Sequence, residues 1–204
     1  MRIERILTIV FLLTGHSSVF AEPVEDHYYL DGVYMFNVVS RASTTDFDFN
    51  EANGLAAFGG YRFNSYFSVE LGGIAFEPIK SHETNPDTSI YTEYEVTGYM
   101  FGIRGEAPVG KLFTAWAGIG YFDWESSFNY EIDYPNFPTI RRTGSNSNSG
   151  TDYYLRLGVT HPVSDSTHVT LETMQMRFSD FFNTEQANTD FRQDYIGVGF
   201  GVHF

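Results

Sequence analysis

The sequence predicts an all-β fold, an eight-stranded antiparallel up-and-down barrel that crosses a membrane. Three observations point to it. The last ten residues, Tyr195 to Phe204, alternate strictly, with Ile196, Val198, Phe200, Val202 and Phe204 on one parity and Tyr195, Gly197, Gly199, Gly201 and His203 on the other. A strand sends alternate side chains to opposite faces, so one face is an apolar stripe and the other is nearly bare. Seven earlier stretches alternate in a similar way, and the links between stretches are long after odd-numbered strands and short after even-numbered ones. Membrane barrels sort their connections into short turns on one side and long loops on the other, whereas a soluble meander has no reason to.

Taken in order, Tyr28, Leu30, Gly32, Tyr34, Phe36 and Val38 form the apolar face of the first stretch, with Asp31 and Asn37 opposite. A polar run from Ser40 to Ala52 leads to the second strand, Gly54 to Phe63, and Asn64-Ser65-Tyr66 makes a hairpin turn into the third, Phe67 to Phe76. A polar stretch, Glu77 to Glu93, is expected to be a long loop before the fourth strand, Val96 to Ala107. Pro108-Val109-Gly110-Lys111 reads as a tight turn. The fifth strand, Leu112 to Trp124, is apolar on both parities; the favoured outward set is Phe113, Ala115, Ala117, Ile119 and Tyr121. The longest loop is expected from Glu125 to Thr151, with the low-complexity run Gly144 to Gly150 inside it. The sixth strand spans Asp152 to His161, the seventh His168 to about Phe178, and Ser179 to Asp190 is the last polar stretch. Each strand offers about the 9–11 residues a tilted crossing needs.

Composition fits this reading. The net charge of -14 excludes a general nucleic-acid binder, because counterion release requires many Lys and Arg. Aromatic content of 18%, with 14 Tyr and 20 Phe, suits rings at both membrane interfaces. With Cys 0, disulfides, thiolate chemistry and Cys-based zinc sites are excluded. Arg2 and Arg5 precede the apolar run Ile6 to Leu13, and Val19-Phe20-Ala21 forms a small-residue cleavage site. Residues 1–21 are therefore expected to be a cleaved secretory signal and residues 22–204 the barrel. The apolar run is well short of the roughly 20 residues of a spanning helix. Cleavage removes two arginines and one glutamate, a net single positive charge, which takes the formal charge from -14 to -15.

The stretch Gly59-Gly-Tyr-Arg-Phe-Asn-Ser-Tyr-Phe-Ser-Val-Glu-Leu-Gly-Gly73 resembles the second hairpin of the OmpA-like transmembrane domain, the porin-like outer-membrane β-barrel family. Gly118-Ile-Gly-Tyr121 and Leu157-Gly-Val-Thr-His-Pro-Val-Ser-Asp165 are similar to its later hairpins. The resemblance implies an integral protein of a Gram-negative outer membrane. It also implies outer-membrane lipid and lipopolysaccharide as neighbours, surface ligands at the loops, and a monomer. The terminal aromatic strand, with Ile196, Val198, Phe200, Val202 and Phe204, is similar to the signal read by barrel-assembly machinery. The family's namesake carries a periplasmic peptidoglycan-binding domain after its barrel; nothing follows Phe204 here, so a barrel alone is expected.

With the apolar face outward, Arg62, Glu70, Arg104, Glu106, Arg156 and Glu172 point into the lumen. An eight-stranded barrel is only wide enough to be filled by side chains, and unpaired charges there are intolerable. The expectation is a salt-bridged filling beneath a structural or surface-interaction role carried by the loops. The alternatives are a narrow porin-like channel, in which the pairs exchange to pass ions or small solutes, and a lipid A-modifying enzyme. The residues nearest to a catalytic set are His168, Thr170 and Glu172, but their parity places them inside the barrel, by a turn and away from outer-leaflet lipid. No catalytic residues are therefore assigned. Histidines 16, 27, 82, 161, 168 and 203 lack metal-ligand spacing, and Asp46-Phe-Asp48 lacks that of a calcium loop, so neither metal nor cofactor is expected. Tyr130, Tyr134, Phe137, Arg141 and Arg142 are candidates for an adhesive tip on the longest loop.

Overall fold

The computed structural model describes residues 27–42, 52–110, 112–137, 140–179 and 191–204. The signal reading of residues 1–21 and Asp46-Phe-Asp48 lie outside these. Among the described residues nine strands are present: β1 Tyr28–Ala42, β2 Gly54–Asn64, β3 Phe67–Phe76, β4 Ile79–Thr84, β5 Ser89–Val109, β6 Phe113–Asp133, β7 Arg141–Pro162, β8 Thr167–Phe178 and β9 Phe191–His203. All pairings between them are antiparallel. β1 pairs with both β2 and β9, and β3 pairs with β5 from Phe67↔Gly105 to Ala75↔Thr97, so eight strands complete a ring. β4 is the ninth strand and lies outside the ring, against the upper part of β5. It continues the path of β3 after a break at Pro78, a residue that cannot donate to a ladder.

Alternation decides which face each side chain takes. Leu55, Leu71, Tyr99, Phe101, Ile103, Ile119, Tyr121, Leu171, Val198 and Phe200 are all exposed on the outer wall. On β5, β6, β7 and β9 the outward parity turns polar in a single step, at Tyr99/Thr97, Tyr121/Asp123, Tyr153/Thr151 and Ile196/Asp194. Tyrosines thus mark one edge of the apolar band, and Tyr28, Phe63, Phe67, Phe113 and Phe204 mark the other. Aromatic girdles at both interfaces are what a bilayer selects, because amphipathic rings sit at headgroup level. β6 resolves its ambiguity in the expected sense, with Phe113, Ile119 and Tyr121 outward and Trp116, Phe122 and Trp124 buried.

The short connections share one end. Asn64 Oδ1 accepts hydrogen bonds from the backbone N–H of Tyr66 and Phe67 at 2.8 and 3.0 Å, closing the β2–β3 turn. Gly110 supplies the positive φ of 72° that the β5–β6 turn requires. Val163 and Ser164 N–H both donate to the Thr167 carbonyl between β7 and β8.

At the other end the structure corrects the sequence reading. Glu77 to Glu93 and Glu125 to Thr151 are not mainly loops. β4, the first part of β5, the upper part of β6 and the first part of β7 run through them as a four-stranded sheet. β6 continues twelve residues past Tyr121 to Asp133, which at about 3.3 Å per residue and a barrel tilt carries the sheet roughly 30 Å beyond the apolar band. Gly144 to Gly150 is part of this ladder. An added Cβ at Gly144 would lie 2.4 Å from the Tyr130 ring, and at Gly150 2.7 Å from the Trp124 ring. These glycines are sites over which aromatic rings of β6 lie flat.

Candidate functional site

The lumen has two layers. The half toward the loops is filled by Val33, Met35, Phe58, Ile74, Phe76, Met100, Phe122, Trp124, Tyr154, Met174, Met176, Phe178 and Tyr195, which form one contiguous buried cluster. Phe122 and Trp124 meet Phe178 edge-on at 5.4 and 5.6 Å, and Phe76 stacks on Tyr195 at 5.3 Å. Beneath it, toward the turns, lie the charges.

Arg104 of β5 is fully buried and reaches three carboxylates. Its Nη1 lies 3.2 Å from Asp31 Oδ2 and 3.5 Å from Glu70 Oε1, and its Nε lies 2.9 Å from Glu106 Oε1. The Nε contact is an ion pair without an aligned hydrogen bond. Arg156 of β7 forks onto Glu172 of β8, Nη2–Oε2 at 2.7 Å and Nε–Oε1 at 3.2 Å, while its Nη1 meets Glu70 Oε2 at 3.2 Å. Glu70 thus bridges the two guanidiniums and also accepts from the Tyr29 hydroxyl at 2.8 Å. Arg62 sits at the margin, 3.6 Å from Glu106 Oε2. All six predicted lumen residues are therefore in one chain of contacts.

Aromatic faces complete it. Arg104 lies over Trp116 at 4.3 Å and Arg156 over Phe58 at 3.5 Å, so each cation meets carboxylates on its edge and a ring on its face. Two members of the network were missed from sequence. Asp31 binds Arg104 and also accepts from His168 Nε2 at 2.8 Å, and the His168 ring stacks on His203 at 4.4 Å. The parity of Asp31 placed it inward, but its partners lie 73 and 137 residues away in sequence.

Thr170 and Glu172 are engaged away from His168. Thr170 exchanges a hydrogen bond with Thr160 at 2.8 Å, Thr160 accepts from Trp116 Nε1, and Glu172 is held by Arg156. His168, Thr170 and Glu172 thus form no relay from base to nucleophile. Among the described residues no group of three or more His, Asp or Glu is arranged to hold a metal ion.

The projecting sheet is a second candidate. Tyr94 stacks on Phe128 at 4.4 Å and Phe128 on Tyr130 at 5.8 Å, and burial pushes the Tyr94 hydroxyl up to about 12. Asn136 donates to Asp87 at 3.0 Å, tying the β6–β7 tip to the β4–β5 tip. Arg141 pairs with Glu131 and Lys80 with Glu93, each carboxylate raising the pKa of its cation. Of the predicted tip residues, Phe137 is 62% exposed, whereas Tyr130 lies back along the sheet over Gly144. In the terminal strand, Ile196, Val198, Phe200 and Phe204 are exposed on the outer wall, and Val202 lies on the same face.

Comparison with known proteins places this architecture. The chain is similar in fold to the outer membrane protein OprG from Pseudomonas aeruginosa, with a TM-score of 0.53 and 12% identity over 88% of this chain and 96% of that one. It is likewise similar to Ail, the attachment invasion locus protein of Yersinia pestis, solved in complex with the heparin analogue sucrose octasulfate. That match has a TM-score of 0.52 and 12% identity over 87% of this chain and 99% of that one. No curated protein sequence matches the chain. The model of the outer membrane protein beta-barrel domain matches residues 7–204, nearly the whole length. The chain therefore belongs to the outer membrane protein beta-barrel domain family and is an integral protein of the bacterial outer membrane.

Proposed function

We propose that this barrel is a non-enzymatic, monomeric surface-interaction protein whose lumen is closed and whose β4–β7 sheet meets a partner outside the cell. The observation that carries the reading is the sheet itself. It stands well clear of the lipid band, and Phe137 and Ile140 are exposed at its tip beside Arg141 and Arg142. Exposed apolar side chains held beyond the membrane support contact with a partner. The closed lumen is supported by the upper layer, where aromatic and methionine side chains pack into one contiguous buried cluster above the charges.

The polyanionic ligand of Ail is a poor guide here. Above the band this sheet carries Glu83, Asp87, Glu93, Glu95, Asp123, Glu125, Glu131 and Asp133 against Lys80, Arg141 and Arg142, and such a field repels sulfated chains. A neutral or cationic protein surface is the better fit. The test displays the protein on a non-adherent bacterial strain and measures attachment to epithelial monolayers with and without heparinase treatment. Attachment that is heparinase-insensitive and lost in Phe137→Ser/Ile140→Ser supports the reading; attachment unchanged by those substitutions overturns it. Steady unitary currents from the purified protein in planar bilayers would favour the narrow channel instead.

A further inference from the structure

The charged layer of the lumen does not balance. Among the described residues four carboxylates, Asp31, Glu70, Glu106 and Glu172, meet three guanidiniums, Arg62, Arg104 and Arg156. Arg62 and Glu106 pair at the margin, so the excess negative charge falls on the sealed part, where Asp31, Glu70 and Glu172 share Arg104 and Arg156. A net charge shut away from water is strongly unfavourable, and a buried site relieves it by taking up a proton. The contacts show where. Glu172 lies in the Arg156 fork, and Glu70 accepts from both arginines and from Tyr29; hydrogen bonds to the ionised form keep a carboxylate ionised. Asp31 is held by one arginine nitrogen, Arg104 Nη1 at 3.2 Å, and its other oxygen meets His168 Nε2 at 2.8 Å.

The fold makes room for that last contact. His168 of β8 and Asp31 of β1 are both aligned with Gly201 of β9, which stands between them. A Cβ at Gly201 would collide with Asp31 Oδ1 and with the His168 ring. His168 Nδ1 takes no partner, and the ring stacks on His203 at 4.4 Å. His203 meets Tyr29 edge-on at 6.5 Å, and Arg62 and Arg104 each lie 5.2 Å from the Tyr29 ring. A proton on both imidazoles would set two cations face to face with guanidiniums nearby, so the stack has room for one charged ring. Across β7, His168 is aligned with Pro162, Thr160 and Thr170 bond each other, and the Arg156–Glu172 fork lies further along the same two strands. We propose that the folded barrel holds one proton on His168 as the counter-charge to Asp31, and that alkaline conditions on the turn side release it and loosen the base of the lumen. The margin on that side is formed by Arg62 and Glu106. Release strands one negative charge in the sealed layer, so the proton's stabilising effect is complete below the ordinary histidine value of about 6.5 and is lost as pH rises through the titration of His168. This device is independent of what the projecting sheet binds.

The test uses the full chain, folded in detergent micelles with 15N-labelled histidine, and reads the ring nitrogens by NMR. At about pH 7.5 an unperturbed histidine is about 90% neutral. The His168 ring, assigned by the signal missing from His168→Gln, is expected to be mostly imidazolium at that pH. Asp31→Asn removes the excess charge and is expected to return His168 to the neutral ring, while His203→Gln leaves the imidazolium in place. Urea unfolding in lipid vesicles gives the second readout. The midpoint of the unaltered protein is expected to fall between about pH 6 and about pH 9, and that of Asp31→Asn to fall less than half as far. A mostly neutral His168 ring in the unaltered protein overturns the proposal, as does an imidazolium that persists in Asp31→Asn. Loss of the imidazolium in His203→Gln overturns the assignment to His168 in favour of a proton shared by the two rings. If Asp31→Asn does not fold, the unaltered protein decides alone: an imidazolium with a falling midpoint supports the proposal, and a neutral ring or a level midpoint overturns it.

Discussion

Replacing Arg156 by methionine is the sharpest probe of how the lumen is held. The guanidinium, Glu70 and Glu172 are each 0% exposed at the side chain, so none of the three can turn to water when a partner is lost. Methionine keeps an apolar stem but removes the guanidinium that lies over Phe58 and strips Glu172 of both hydrogen bonds from Arg156. Glu70 keeps the Tyr29 hydroxyl at 2.8 Å and Arg104 at 3.5 Å, so the damage concentrates on Glu172. Breaking a buried pair by removing one partner costs about 3–5 kcal/mol, against a total stability of about 5–15 kcal/mol for a typical domain. Arg156→Met/Glu172→Gln removes the stranded charge and is expected to recover at least half of the loss. Arg62→Met breaks a 3.6 Å ion pair at the margin of the lumen, with side chains 17% and 10% exposed, and a cation–ring contact with Tyr29 at 5.2 Å, and is expected to cost under about 1 kcal/mol. Equilibrium urea unfolding in lipid vesicles, read by Trp116 and Trp124 fluorescence and by heat-modifiable migration, measures all three. A loss below about 1 kcal/mol for Arg156→Met would refute the reasoning, as would a double variant no better than the single.

Other regions yield equally direct tests. Gly150→Val would bring a side chain within 2.7 Å of the Trp124 ring; limited proteolysis should then cut the projecting sheet while the barrel core survives, at a cost of about 1–3 kcal/mol. Burial raises the Tyr94 hydroxyl from its ordinary 10.0 to about 12, so its stabilising effect is complete below pH 10 and disappears as pH climbs through about 12. Phenolate absorbance should reveal this late titration, and Tyr94→Phe should remove both it and the associated fraying of the sheet. Phe204→Ala should lower the fraction of protein inserted in the outer membrane, and N-terminal sequencing of the mature protein should begin at Glu22.

The barrel was legible because lipid enforces a period of two on its outer wall. β1, β2, β3 and β9 could be read by parity alone. β6 resisted because its inner face is also apolar: Trp116, Phe122 and Trp124 fill the cavity, so hydropathy cannot separate inside from outside. The projecting sheet was hidden for the opposite reason. Above the band water lies on both sides, so strands such as Arg141 to Thr151 need no apolar face and look like loops. The glycines at 144 and 150 imitate a flexible linker although their role is to clear space for Tyr130 and Trp124. In the lumen, parity identified which charges face inward but could not pair them. Asp31 meets His168 only because β1, β9 and β8 are neighbours in the closed ring.

That closure has a kinetic consequence. Tyr28 and Phe204 exchange backbone hydrogen bonds at 3.0 Å, and the seam they begin joins segments separated by nearly the whole described chain. Every other join in the ring links strands that are consecutive along the polypeptide or, for β3 and β5, separated only by β4, so these can zip locally while this one waits for an entropically costly long-range encounter. Until then the sheet carries two raw edges able to recruit a strand from elsewhere. Relocating the break to the β5–β6 turn by circular permutation should leave the finished cylinder equally durable while changing which edges stand open during insertion.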